Sequence, residues 1–286
     1  LKYLTSGKDH PVKKMKWLVF GTGKLADHLV RAFGAPAVSH KICDIGDRDS
    51  CRKQIELYNP TVVINCAAKT NLEYCEENKK VSYETNTGGV INLLHLCAEK
   101  GIKFVHISSG CLFDGNHIIS TEESVPTPAA WYTHTKVWAD QYIQHYGYDD
   151  YLILRPRQMV SAIAHPTNML TKFAHYGVIY AHSEPNSITC VEDFVRMLHH
   201  LLKVEARGVF NCCNDGVVTP LQVALGVRDY IAPQLKVHES DYEHTLTLQP
   251  NKRVNTILAN DKLKATGFKP RDATAALNWC LKAYNE

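Results

Sequence analysis

Five short apolar runs, each followed by a stretch of helix-forming residues, constrain this chain more than anything else in it. The runs are MKWLVFG (15–21), AVSHKICDI (37–45), TVVINCAA (61–68), IKFVHISS (102–109) and YLILRPR (151–157). Between them lie KLADHLVRAF, SCRKQIELYN (50–59, closed by Pro60), NTGGVINLLHLCAEKG (86–101, stopped by Gly101) and a segment running from TPAAWYTHTK to about Tyr146. TVVINCAA opens on a β-branched run, Thr61–Ile64, the composition of a strand buried on both faces of a parallel sheet. Strands that alternate with helices imply right-handed crossovers and a sheet covered by helices on both sides. Beyond about residue 164 the rhythm breaks into helices, short strands and loops rich in His, Asn and Pro. We therefore expect an α/β unit over 15–163 and a smaller unit over 164–286, partly interleaved with the first.

Composition removes several classes of function. The net charge is +3 and the basic residues are scattered, so no Lys/Arg stripe marks a nucleic-acid binder. No apolar run approaches the eighteen residues of a membrane span. The opening LKYLTSGKDHPVKK has charge without an apolar core, unlike a secretion signal, and reads as a mobile extension over 1–14. The ten cysteines form no CxxC pair, and Cys212-Cys213 is an adjacent doublet. Reduced thiols in a cytoplasmic setting are expected. The fifteen histidines show no HExxH or other metal-ligand spacing, so no metal is expected.

Gly21-Thr22-Gly23-Lys24-Leu25-Ala26 is a GxGxxA turn between the first strand and the first helix. Glycines there let the backbone approach a pyrophosphate, whose charge meets the free N–H groups of the helix start. Two glycines also occur in many tight strand-to-helix turns; the position after the first strand of an alternating pattern favours dinucleotide binding and a Rossmann-type sheet. Gly21, Gly23, Lys24 and Leu25 would hold the dinucleotide, with Ala67 at the end of the third run. The second run ends in Ser39-His40-Lys41, with Asp44 after it. A base there accepts a 2′-phosphate, which points to NADPH with Lys41 on the phosphate and Asp44 on the adenine; NADH stays open, as does a solvated loop.

Tyr132-Thr133-His134-Thr135-Lys136 is YxxxK, which on a helix puts phenol and ammonium on one face. Bringing a tyrosine from about pKa 10 to about 7 takes roughly 4 kcal/mol, which an adjacent lysine in a semi-dry site can supply. A surface helix pair gives the same spacing. Ser109 at a strand end between the glycine turn and YxxxK makes chance a poor explanation.

The order of glycine turn, Asn65-Cys66-Ala67-Ala68, Thr85-Asn86-Thr87-Gly88-Gly89, Ser109 and YxxxK resembles the extended short-chain dehydrogenase/reductases that act on nucleotide sugars. Within them the chain resembles the dTDP-4-dehydrorhamnose reductase branch, nearest to the 3,5-epimerase/4-reductases that make UDP-L-rhamnose. LRPRQMVSAIAHPTNMLTKFAHY, GVFNCCNDGVVT, VRDYIAP and the stretch 253–263 extend the likeness to about residue 285. The glycine turn departs from the usual GxxGxxG by one residue. The resemblance implies that Ser109 orients a ketone, Tyr132 gives it a proton, and Lys136 holds the nicotinamide ribose and lowers the tyrosine pKa. Relatives that epimerise before reducing carry a cysteine two residues after the serine, the position of Cys111. Protons at carbons 3 and 5 flank the carbon-4 ketone, and inverting those centres needs a proton carrier on each ring face.

A cation beside a thiol promotes the thiolate. By the same resemblance Lys172 is the partner of Cys111, with His165 and His175 as alternatives. Thr70, Asn71, Asn168 and Arg253 are expected at the substrate, Arg253 because a guanidinium grips phosphate through two N–H groups. The resemblance thus implies a homodimeric enzyme turning UDP-4-keto-6-deoxyglucose into UDP-L-rhamnose. The alternatives are a monofunctional reductase of a dTDP-sugar and a catalytically silent regulatory subunit of the same fold.

Overall fold

The structure, a computed structural model, describes residues 15–115, 118–248 and 253–285. The extension over 1–14 lies outside them. Six strands form one sheet: β1 (Trp17–Phe20), β2 (Ala37–Val38), β3 (Val62–Asn65), β4 (Lys103–Ile107), β5 (Tyr151–Arg155) and β6 (Gly208–Asn211). Their spatial order is β2-β1-β3-β4-β5-β6, and every pairing is parallel. The Rossmann-type architecture expected from the alternating runs is the one observed.

Strand side chains alternate between faces, so each run feeds two cores. Val19, Ile64, Val105 and Leu152 pack on one side with Leu25, Ala26 and Leu29 of α1 (Lys24–Phe33). Leu18, Phe20, Val63, Phe104 and Ile153 pack on the other with Ile55 of α2 (Arg48–Tyr58) and with Val90, Leu93 and Leu94 of α3 (Gly89–Lys100). Ala139 and Ile143 of α4 (Trp131–His145) complete that layer.

Two elements differ from the sequence reading, each for a local reason. The second run pairs over two residues and then turns, because the Ser39 carbonyl accepts from the N–H groups of Ile42 and Cys43, each at 3.0 Å. Cys43 and Ile45 then drop into the core instead of continuing a ladder. The helix expected from residue 86 begins as a wide π turn over Glu84–Gly88. There Asn86 is drawn out to brace the loop after β3: its Oδ1 accepts from Lys69 N at 2.8 Å, and its Nδ2 donates to Lys69 O at 2.9 Å and Thr135 Oγ1 at 3.1 Å.

After β5 the chain builds a second core around Val160, Leu170, Ile179, Val223, Val227, Leu277 and Leu281. It also comes back to the first. α5 (Val191–Lys203) lays Phe194, Met197, Leu198 and Leu201 on the sheet beside α1, and β6 adds the edge strand next to β5. Among the described residues no helix is long and apolar enough to cross a membrane.

A buried ion pair ties α4 to the end of β5. Arg155 Nε lies 3.1 Å from Asp140 Oδ2, with side chains 3% and 1% exposed. Removing one partner of such a pair strands the other charge in the interior. Arg155→Met should therefore lower unfolding stability by about 3–5 kcal/mol in urea titrations near neutral pH. A loss below about 1 kcal/mol would mean that Asp140 is not held as a carboxylate.

Candidate active site

β1 and β3 are neighbours, and the chain leaves β1 toward β2 and β3 toward β4, in opposite directions, which opens a crevice at the strand ends. A cleft of about 1280 Å³ fills that crevice and extends over the second core. Its lower lip is the turn after β1. Gly21 has φ +109°, and a Cβ there would lie 2.9 Å from Ala67 N at the end of β3. Glycine is therefore required by both conformation and space. Gly23 precedes α1 with no side-chain cap, and a Cβ there would meet open space. The helix start thus faces the cleft with its N–H groups uncovered, a ready anion site.

Gly21, Gly23, Lys24, Leu25, Asp44 and Ala67 all line the cleft, whereas Lys41 stands exposed beside it and His40 takes the lining position. Lys24 points inward. Its Nζ donates to Met159 O at 2.9 Å, and burial brings its pKa down to about 8 against the pull of Glu192. The side chain therefore joins the glycine turn to the short strand Met159–Val160 beyond β5.

Ser109, Cys111, Tyr132 and Lys136 line one wall together. Ser109 Oγ accepts from Cys111 N at 3.1 Å and so starts the tight turn Gly110–Leu112 that presents the thiol. Tyr132 lies in the first turn of α4, where Thr133 Oγ1 accepts from Ala130 N at 3.1 Å and holds the helix start in place. One turn on, Lys136 is 1% exposed, and its Nζ lies 2.8 Å from Ile107 O and 3.0 Å from His106 Nε2. Burial lowers its pKa to about 8, opposed by Asp140. Burial raises the Tyr132 phenol, with the Ser109 hydroxyl partly offsetting it. The phenol thus keeps its proton, the state from which it can donate.

The cation on the Cys111 sulfur is one that the sequence reading passed over. Arg157, just beyond β5, is 6% exposed and donates from Nη1 to Cys111 Sγ at 3.0 Å. Its Nη2 donates to Val254 O, and its backbone N to Thr189 Oγ1 at 2.9 Å. Gly110 N donates to Pro156 O at 2.7 Å, and a Cβ on Gly115 would fall 1.4 Å from Asn255 O. The thiol turn is thus clamped between the end of β5 and the 254–256 segment. LRPR offered one signal, a second arginine directly after a strand.

The remaining candidates divide. Lys172 is exposed and lines the cleft from the short helix Met169–Ala174. His165 and His175 lie outside the lining, engaged with Thr167 Oγ1 at 2.9 Å and Thr171 O at 2.7 Å. Thr70 and Arg253 line the cleft, and Arg253 also reaches Glu73. Asn71 and Asn168 do not. Asn71 caps a helix through Tyr74 N at 2.7 Å, and Asn168 is wholly buried, donating to Ser161 O at 2.8 Å and Ile163 O at 3.0 Å. Tyr176, Tyr180, His182 and Tyr242 also line the far end, unforeseen because they are scattered in sequence. Among the described residues one group has metal-ligand proximity, Cys190, Glu192 and Cys280. There Glu192 Oε1 already accepts from Ser161 Oγ at 2.8 Å and Ala162 N at 3.1 Å.

Residues 15–286 match the family model described as RmlD substrate binding domain, and the chain belongs to that family. It is 29% identical over 230 residues to the bifunctional dTDP-4-dehydrorhamnose 3,5-epimerase/dTDP-4-dehydrorhamnose reductase of Arabidopsis thaliana, covering 76% of this chain and 75% of that one. It is 27% identical over 265 residues to a trifunctional UDP-glucose 4,6-dehydratase/UDP-4-keto-6-deoxy-D-glucose 3,5-epimerase/UDP-4-keto-L-rhamnose-reductase of the same plant. That match covers 87% of this chain, which spans 39% of the relative's length. Among solved structures, dTDP-4-dehydrorhamnose reductase from Bacillus anthracis in complex with NADP superposes with TM-score 0.84 at 20% identity, covering 95% of this chain and 98% of that one. A UDP-rhamnose synthase from Acanthamoeba polyphaga mimivirus gives 0.82 at 23%, covering 94% and 99%.

The lowered Lys136 pKa has a consequence for stability. Between about 8 and 10.5 the unfolded lysine still holds a proton that the folded one has lost, so folding gains from rising pH in that window. Relative to Lys136→Met, the wild type should gain on the order of 3 kcal/mol across it. Urea midpoints measured for both proteins through this range check the sign; a difference that stays flat would mean that Lys136 titrates normally.

Proposed function

We propose that this chain is a bifunctional nucleotide-sugar enzyme that epimerises UDP-4-keto-6-deoxyglucose at carbons 3 and 5 and then, in an NADPH-dependent step, reduces carbon 4 to give UDP-L-rhamnose. The observation that carries the reading is the common wall on which Ser109, Cys111 and Tyr132 stand, with Lys172 lining the same cleft. A reductase needs the hydroxyl and phenol; the thiol beside them has its use in proton exchange next to a ketone.

A dinucleotide suits the glycine turn, because the uncapped start of α1 after Gly23 leaves backbone N–H groups open to a pyrophosphate. His40, which lines the cleft, would meet a 2′-phosphate there, with Lys41 exposed beside it, and the NADP complex of the Bacillus anthracis structure supports that choice. When bound, the cofactor supplies hydride to carbon 4. Ser109 orients the carbonyl, and Tyr132 donates its proton to the developing alkoxide. Lys136 would hold the nicotinamide ribose. In the earlier step Cys111 works on one ring face and Lys172 on the other: one removes a proton to leave an enolate, and its counterpart returns one, inverting the centre. Arg253 and the Tyr176–His182 segment would receive the nucleotide diphosphate. All ten cysteines are free, which suits a reducing cytoplasm, and a homodimer belongs to the same reading.

A narrower reading is a 4-reductase acting on dTDP-4-dehydrorhamnose alone. The Arg157 hydrogen bond favours it to the extent that it ties Cys111 into the wall.

UDP-4-keto-6-deoxyglucose in deuterated water, without reductant, separates the two. Deuterium should enter carbons 3 and 5 with wild type, and Cys111→Ala should slow that exchange by about 10²-fold or more. No exchange in the wild type would leave the narrower reductase.

Tyr132→Phe should leave exchange nearly intact while slowing NADPH oxidation by about 10²–10⁴-fold. Undiminished reduction in that variant would remove Tyr132 from the role of acid.

A further inference from the structure

Beneath Lys136 runs a polar chain that the proposed reaction does not use. His106, on β4, is 0% exposed, and groups from several elements face it. From β3 comes Asn65, whose Nδ2 lies 3.3 Å from His106 Nδ1. From α4 come Lys136 Nζ, 3.0 Å from Nε2, and Asp140 Oδ1, 3.9 Å from the same nitrogen. Arg155 of β5 pairs with the other oxygen of Asp140, and Phe104 stacks on the imidazole from two residues earlier in β4.

Hydrogen-bond directions in this chain are fixed from one end. Ala67 N–H donates to Asn65 Oδ1 at 3.0 Å, which turns the amide NH₂ toward His106. An amide NH₂ only donates, so Nδ1 accepts and the proton of the neutral imidazole sits on Nε2. Nε2–H then points at Lys136 Nζ. An ammonium has three donors and no acceptor, so the charged lysine would set donor against donor. A neutral amine has a lone pair for Nε2–H, and its own N–H still reaches Ile107 O.

We propose that Asn65 and His106 are positioning residues that set the protonation state of Lys136, holding it as a neutral amine while Asn65 is bonded to Ala67. Charging the lysine then takes one proton from outside, which ends on Nζ. The imidazole keeps a single proton, moved from Nε2 to Nδ1, and the Asn65 amide turns to accept it, which takes the acceptor away from the N–H of Ala67, a residue of the cleft lining. Burial acts in the same direction, because it disfavours charge on both His106 and Lys136. The cleft floor and the lysine charge are thereby coupled through two side chains that touch neither substrate nor cofactor.

The first test needs no substrate. Protein labelled with ¹⁵N-histidine is examined by long-range ¹H–¹⁵N NMR, and the His106 signals are identified by their loss in His106→Gln. The neutral Nε2–H tautomer is expected at about pH 9–10, above the Lys136 midpoint. A Nδ1–H tautomer or an imidazolium there would overturn the proposal. The second test uses Asn65→Asp, which keeps the side-chain shape and can accept from Ala67 N–H and from Nδ1–H together. It should switch His106 to the Nδ1–H tautomer and move the alkaline limb of the kcat profile up by about one pH unit or more, with little change in KM. A tautomer that switches while the limb stays put would also overturn it. The kinetic arm rests on the reductase reading. Should no ketosugar be reduced by the wild type, that reading fails and the NMR arm still decides this one.

Discussion

The close approach of two strand ends is the constraint on which the rest depends. β1 and β3 are neighbours that the chain leaves in opposite directions, and at their C-terminal ends Gly21 comes near enough to Ala67 to leave no room for a Cβ. That contact sets the floor of the cleft. It also puts the start of α1 beside the end of β3, so that an anion lying on the helix N-terminus is within reach of whatever β4 and α4 supply. Any side chain at residue 21 would push the strand ends apart and widen the crevice where the cofactor is proposed to bind.

The second core keeps the opposite wall in register. The turn carrying Cys111 does not stand alone: Arg157 grips its sulfur, Pro156 accepts from Gly110, and Asn255 presses on Gly115. Residues some forty and one hundred and forty positions downstream therefore decide where the thiol points. α5 and β6 return to the sheet after the second core has begun, and Lys24 reaches Met159 from the glycine turn. Backbone and side-chain ties between the two cores leave little freedom for the cleft walls to slide.

Polar burial is concentrated beneath the proposed reaction centre. His106, Lys136, Asp140 and Arg155 are all nearly sealed from solvent on β4, α4 and β5, in a region where every unpaired charge is costly. Such a cluster offers poor stability for its volume compared with an apolar core, but it fixes directions. Each hydrogen bond determines which way the next can run.

Residues near in sequence, with a period set by local geometry, carried the legible part. The buried runs around Val19, Ile64 and Val105 declared a parallel sheet, Gly21 and Gly23 declared a helix start open to an anion, and Tyr132 with Lys136 declared one helical face, because strand and helix periods are properties of the backbone itself. Ser109 and Cys111 were legible as a strand-end pair for the same reason. Tertiary structure decided what those periods cannot encode. It cut the second strand to Ala37–Val38 by folding Cys43 and Ile45 into the core. Asn71 and Asn168 it spent on helix caps, and Lys41 it left outside the cleft lining. Arg157 it brought to Cys111, and His106 to Lys136, across separations that no local pattern spans. Sequence by itself determined five of the six strands of the sheet, the glycine turn and the order of the reactive groups; the edge strand Gly208–Asn211 was added by the chain's return from the second core. Which cation meets the thiol, and which atom faces the lysine, was settled by packing, since those contacts join side chains from different strands and exist once the sheet has formed.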